Sequence, residues 1–152
     1  MKKIGDLGEK LVGRWLELHN YQILARNWRC RWGEIDLIAQ EQTSKAIAFV
    51  EVKTRSFRNW DADGMLAVNY TKQQKLIQTA SFFLAQHPLF AELPCTFDIA
   101  LVSYQLLNLT TATLNRSTIA DFGQISDLEI GDPVVIENYQ LKVKDYLPAS
   151  FD

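Results

Sequence analysis

The chain has 152 residues and a formal charge of −2; it is 47% hydrophobic, 22% charged and 11% aromatic, with 7 Gly and 4 Pro. That length fits one ordinary domain rather than two, and the composition excludes disorder and collagen-like repetition. No apolar run approaches the roughly 18 to 20 residues needed to cross a bilayer, and Met1–Asp6 leads into charged helix sequence rather than a signal-peptide core, so a cytoplasmic protein with no membrane partner is expected.

Ile4, Leu7, Leu11, Trp15 and Leu18 recur at three- and four-residue spacing, which predicts a first helix stopping at His19-Asn20. Tyr21 to Trp28 reads as a strand that continues unevenly to Gly33, a bend or bulge, with the arginines and Trp28 and Trp32 on opposite faces and the tryptophans facing the core. Glu34–Ala39 and Ala46–Thr54 are two further strands, joined by the polar stretch Gln40–Lys45. Thr71 is the expected cap of a second helix running to about Gln86, with Leu76, Ile77, Ala80, Phe83 and Leu84 on its buried face and His87-Pro88 at its end. Thr96–Tyr104 is a fourth strand. The order helix, three strands, helix, strand predicts an α/β fold with a mixed sheet flanked by helices, its core spanning about residues 5–104. Residues 105–132 read as a loop-rich insertion, and residues 133–152 as a C-terminal extension with an extended, β-branched pattern.

Charge is unevenly spread. Residues 1–60 hold 11 Lys and Arg against 7 Asp and Glu, whereas residues 61–152 hold 5 against 11. A polyanion would meet the first part and avoid the second. Cys30 and Cys95 lack the spacing of a zinc site or a disulfide framework and read as small reduced packing residues.

Ala46–Thr54 is almost wholly apolar until Glu51 and Lys53, which alternation places on one face. The same rule puts Glu34 and Asp36 on one face of the preceding strand, with Ile35 and Leu37 opposite, and a hairpin register brings Asp36 to Glu51. Adjacent carboxylates raise one another's pKa unless a cation lies between them, and oxygen donors select Mg²⁺ or Mn²⁺. With a lysine beside them, such groups suit metal-assisted phosphodiester hydrolysis. The alternative is a cross-strand charge lattice of Asp36, Glu51, Lys53 and Arg55 on a solvated edge.

The blocks Gly8-Glu9, Asn27-Trp28-Arg29-Cys30, Gly33–Ala39 and Phe49–Arg55, followed by Lys72 and Phe97-Asp98-Ile99, resemble the YraN-like family of bacterial proteins. That family is similar to the PD-(D/E)xK nuclease superfamily, which includes Holliday-junction resolvases. The resemblance spans about Gly5 to Tyr104. It implies a restriction-endonuclease-like core and a Mg²⁺- or Mn²⁺-dependent endonuclease acting on DNA, including branched or junction DNA, with a homodimer as one arrangement. It also assigns Asp36, Glu51, Lys53 and Glu9 as catalytic residues, the three acids among them as metal ligands. A noncatalytic nucleic-acid or protein-binding module retaining the fold is the competing expectation.

Glu9 has a second reading, since Asp6-x-x-Glu9 matches a helix capping box. Arg29, Arg31, Arg55 and Lys72 are the expected nucleic-acid contacts; for Lys72 a merely solvated first helical turn stays open. Glu34 is assigned to turn and sheet electrostatics, Asp98 to structure, and His19 and His87 to helix ends without chemistry.

Overall fold

Two α-helices and seven strands are formed by the described residues of the computed structural model, 2–59, 68–108 and 118–151. They are α1 (Lys2–Leu18), β1 (Tyr21–Cys30), β2 (Gly33–Glu41), β3 (Ile47–Ser56), α2 (Tyr70–Gln86), β4 (Cys95–Leu106), β5 (Thr118–Ile119), β6 (Val134–Ile136) and β7 (Tyr139–Phe151). The strands form one mixed sheet in the order β1-β2-β3-β4-β7-β6-β5. β1, β2 and β3 are an antiparallel meander, β3 and β4 run parallel, and β7 is antiparallel to both β4 and β6. The crossover from β3 to the parallel β4 passes through α2, because parallel neighbours cannot be joined by a tight turn. This mixed α/β sheet with a helix on each face is consistent with a restriction-endonuclease-like core.

Each face of the sheet has its own apolar cluster. Leu7, Leu11, Val12 and Leu16 of α1 cover Leu37, Val50, Ala100, Val102, Leu141 and Val143 on one face. Leu76, Ala80 and Phe83 of α2 cover Ile38, Ile47, Phe49, Ile99 and Leu101 on the other. Burying each of these leucines contributes about 2 kcal/mol, so the two clusters hold the sheet between the helices. Gly8 lets α1 lie directly on β3: a Cβ there would stand 2.1 Å from Thr54 Oγ1. Gly33 opens β2 with a φ of +153°, a conformation that disfavours any side chain.

Several expectations are corrected. α1 begins at Lys2, so Asp6 lies inside the helix and the capping-box reading of Glu9 fails. The N-cap of α2 is Asn69, whose side chain accepts from Lys72 N at 2.9 Å; Thr71 is already helical. β1 stops at Cys30, and Trp32 is exposed in the following turn rather than core, whereas Trp28 packs edge-on against Phe83 with ring centroids 5.3 Å apart. Cys95 is exposed, not a packing residue, and both cysteines are free.

The predicted core ended near residue 104, but β7 lies directly against β4 and contributes Leu141 and Val143 to the α1-side cluster. Within the loop-rich stretch, β5 pairs in parallel with β6, and Asp121 caps a short 3-10 turn, Phe122–Gln124. Residues 109–117 of that stretch lie outside the described residues. No helix among the described residues is long and apolar enough to cross a membrane.

Candidate functional site: a carboxylate and lysine cluster at the end of the central strands

The site is built where β2 peels away from β3. Their pairing runs from Gln40↔Ile47 to Leu37↔Val50 and goes no further. At the next position the Asp36 carboxylate, not a main-chain carbonyl, accepts the Val52 N–H at 2.8 Å. This substitution ends the alternation: Ile35 joins the α2-side cluster and Leu37 the α1-side one, so the two residues do not share a face as expected. The reason is local, since a strand released from one neighbour is free to turn its side chains.

Glu51 and Lys53 keep the alternation of β3 and face α2 together with Phe49. Asp36, Glu51 and Lys53 are only 8%, 8% and 9% exposed. Buried ions at this depth require partners, and these side chains partner one another. The Asp36 carboxyl faces that of Glu51, and Glu9 lies beside Asp36 and Asn27. Lys72, on the first turn of α2, brings its ammonium to 2.9 Å from Glu51 Oε2 as an ion pair without directed hydrogen-bond geometry. The amine of Lys53 meets that of Lys72.

The pKa values follow from these contacts. Burial, then the hydrogen bond to and charge of Glu51, raises the Asp36 carboxyl far enough to keep its proton at neutral pH. Burial also pushes Glu51 up, but the Asp36 proton and the Lys72 ammonium outweigh it and hold Glu51 below the usual glutamate value. The pair therefore shares one proton, held by Asp36 and donated to Glu51. Glu9 is raised, mainly by its half-buried position. Burial and the facing Lys72 push Lys53 down to about 8, while Lys72 is raised, because the neighbouring Lys53 amine and the Glu51 carboxylate outweigh its own burial.

One cleft opens on the carboxylate pair and two on Glu9. One of about 230 Å³ is lined by Gly33, Asp36, Glu51, Lys72, Lys75 and Thr79. Another of about 370 Å³ runs between α1 and the end of β3, past Glu9, Thr54 and Arg55. Glu9 further borders a cleft of about 200 Å³ with Lys10, Arg26 and Asn27.

The fold thus brings Glu9, Asp36, Glu51, Lys53 and Lys72 together. Lys72, expected on a nucleic-acid surface or solvated, is in the cluster itself. Arg29 is ion-paired with Glu34, in line with an electrostatic role for that acid. Arg31 stacks over Trp32, and Arg55 is exposed beside the site, donating to Thr54 O at 3.0 Å. Asp98 takes no part: on the α1 side of β4 it accepts from Tyr146 Oη at 2.5 Å and from Ala149 N at 2.9 Å. His19 and His87 sit at helix ends against the Leu128 and Phe83 carbonyls.

Asn27 is the residue that sequence reasoning missed. It stands opposite Asp36, between the Arg26↔Leu37 and Trp28↔Ile35 pairs, with a φ of +50°. Its signal was its type, because Asn tolerates the left-handed region better than most side chains.

Among the described residues no three His, Cys, Asp or Glu side chains form a ready-made metal cage. Mg²⁺ seldom uses one; it is commonly held by one or two carboxylates, with water and substrate phosphate completing the shell. The all-oxygen pair Asp36 and Glu51, with Glu9 touching Asp36, fits that mode. The buried Glu51 oxygen facing Lys72 is the atom a cation would claim.

The profile of a family described as uncharacterised protein family UPF0102 matches residues 8–102, which include every one of these side chains. The chain belongs to this family. A UPF0102 protein of Acaryochloris marina is 43% identical over 98% of this chain and 90% of its own length. One from Trichodesmium erythraeum is 42% identical over 97% and 87%, and one from Synechocystis sp. 41% identical over 99% of each chain. These UPF0102 relatives align through the β6 and β7 region as well as the profile-matched part.

Proposed function

We propose that this UPF0102 chain is a Mg²⁺- or Mn²⁺-dependent endonuclease that hydrolyses phosphodiester bonds in DNA, branched DNA preferred over plain duplex. The observation that carries this reading is the contact between two buried carboxylates, Asp36 and Glu51, at the frayed edge of two central strands. A fold stabilises such a pair poorly without a cation, so its presence asks for a use.

Asp36 and Glu51 would hold the metal, with Glu9 orienting Asp36 or a bound water. The chemistry the ion supplies when bound is polarisation of a phosphoryl oxygen and a lowered pKa for bound water. Lys53 has a pKa brought down to about 8, so at neutral pH it is still mostly an ammonium yet releases its proton readily. It can offset charge developing on the phosphate or protonate the leaving oxygen. Lys72 holds Glu51 ionised and positioned. Arg55, at the mouth of the α1-side cleft, and Arg31 provide cations for the flanking phosphates.

A second reading, a noncatalytic nucleic-acid or protein-binding module, draws on Lys72 itself, whose ammonium neutralises Glu51 without any metal. Titration calorimetry with Mn²⁺ separates the two. Binding that disappears in Glu51→Gln supports the nuclease. No binding at millimolar Mn²⁺, with DNA present, supports the module.

A further inference from the structure

Three exposed aromatic side chains ring the end of the sheet that carries the acidic cluster. The topology brings the β1–β2 turn, the segment after β3 and the first turn of α2 to this same end. Trp32, 40% exposed, lies in the β1–β2 turn beside Gly33, which lines the cleft of Asp36 and Glu51. Phe57, 49% exposed, directly follows β3 and borders a small cleft with Tyr104 and Lys142. Tyr70, 73% exposed, opens α2 two residues before Lys72. None of the three belongs to either apolar cluster.

Two of them, Trp32 and Phe57, have arginine neighbours. The Arg31 guanidinium lies 4.5 Å from the Trp32 ring centroid, and that of Arg58 lies 5.4 Å from the Phe57 centroid. Exposed aliphatic residues are distributed differently: Leu89, after α2, is at the opposite end of the sheet, Ile130 lies beside Gly131 at the level of Val143, part-way along the sheet, and Leu106 of β4 reaches the site end. Flat rings interleaved with arginines complement an anionic chain that presents flat faces. Unpaired nucleotides have that chemistry, because base stacking on aromatics needs only a π-face and the guanidinium meets the phosphate. Paired bases within a duplex hide those faces.

We propose that Trp32, Phe57 and Tyr70 form a base-stacking rim, so that the nucleic acid taken by this site is single-stranded or carries an unpaired arm. The proposal deepens the nuclease reading and rests on it only for what happens to the bound phosphate; the rim binds bases whether or not the cluster cleaves. An oligothymidylate and a blunt duplex of equal length, each fluorescently labelled, are the probes, and anisotropy in EDTA reads affinity without cleavage.

The wild-type chain should bind the single strand about tenfold or more tighter than the duplex. The Trp32→Ala, Phe57→Ala, Tyr70→Ala variant should lose about thirtyfold or more on the single strand and little on the duplex. The Trp32→Phe, Phe57→Tyr, Tyr70→Phe variant, which keeps all three rings, should retain the preference. Equal losses on both probes, no loss on either, or a wild-type preference for duplex overturns the rim. So does self-association, read by sedimentation, that vanishes in the alanine variant when no single-strand preference exists; the aromatics would then be a face between copies of the chain. A parallel Mn²⁺ cleavage assay keeps the two ideas apart. Ring-dependent single-strand binding without cleavage leaves the rim and removes the nuclease, and cleavage with ring-independent binding does the reverse.

Discussion

Replacing Asp36 by Asn should make the metal-free protein more stable. The asparagine keeps an oxygen to accept the Val52 N–H and gains an N–H to donate to Glu51, so it reproduces the protonated aspartic acid without its ionisation. In the unfolded chain Asp36 ionises near pH 4, whereas in the folded chain it keeps its proton through neutrality. Between those points the folded state binds one more proton than the unfolded state, and stability falls as pH rises, by at most about 1.4 kcal/mol per pH unit.

From pH 4 to 7 the ceiling is about 4 kcal/mol. Glu51 works the other way, since its lowered pKa adds stability above the unfolded glutamate value that is lost on acidification. Because the two groups share one proton, a net gain of about 1 to 3 kcal/mol is expected for Asp36→Asn at pH 7.5. That corresponds to about 2 to 10 °C in Tm for a chain of this size. Urea and thermal unfolding in EDTA, from pH 4.5 to 7.5, measures it. The advantage should be small at the acid end and grow with pH. A variant less stable than wild type at pH 7.5, or a difference that ignores pH, would refute the shared-proton description.

Three further outcomes are expected. Mn²⁺ binding must displace the Asp36 proton, so its calorimetric heat should vary with the ionisation enthalpy of the buffer and its affinity should rise with pH; buffer-independent heats would contradict this. Lys53→Ala should abolish cleavage while leaving DNA affinity within about threefold of wild type, because its charge is wanted where negative charge develops; equal losses of rate and affinity would make it a phosphate anchor. Gly8→Ala should destabilise by about 1 to 3 kcal/mol, since its Cβ would collide with Thr54, and the added change Thr54→Ala should recover part of that loss in chemical denaturation.

The strand and helix order was readable in the sequence because both periodicities are strong: α1 shows its apolar stripe, and β3 is nearly continuous in apolar residues up to Glu51. Alternation placed Glu51 beside Lys53, and the hairpin register brought Asp36 to Glu51. What the sequence could not carry was the failure of alternation at Asp36, because the peeling of β2 from β3 is stabilised by a side-chain bond to Val52 that leaves no periodic trace. The reach of Lys72 to Glu51 was hidden for a related reason. A lysine in a first helical turn looks the same whether it is solvated or reaches a buried glutamate on another element. The cap of α2 fell to Asn69 rather than Thr71, and the pairing of β7 with β4 was hidden because it joins segments far apart in the chain.

The measurement that bears most directly on Asp36 and Glu51 as a metal-dependent nucleolytic pair is a cleavage assay on a labelled four-way junction and a linear duplex of equal length. Wild-type protein with Mg²⁺ or Mn²⁺ should cut the junction in preference to the duplex, stop in EDTA, and fall silent in folded Glu51→Gln. Junction left intact by folded wild-type protein in both metals, or cutting that survives in Glu51→Gln, would contradict the account.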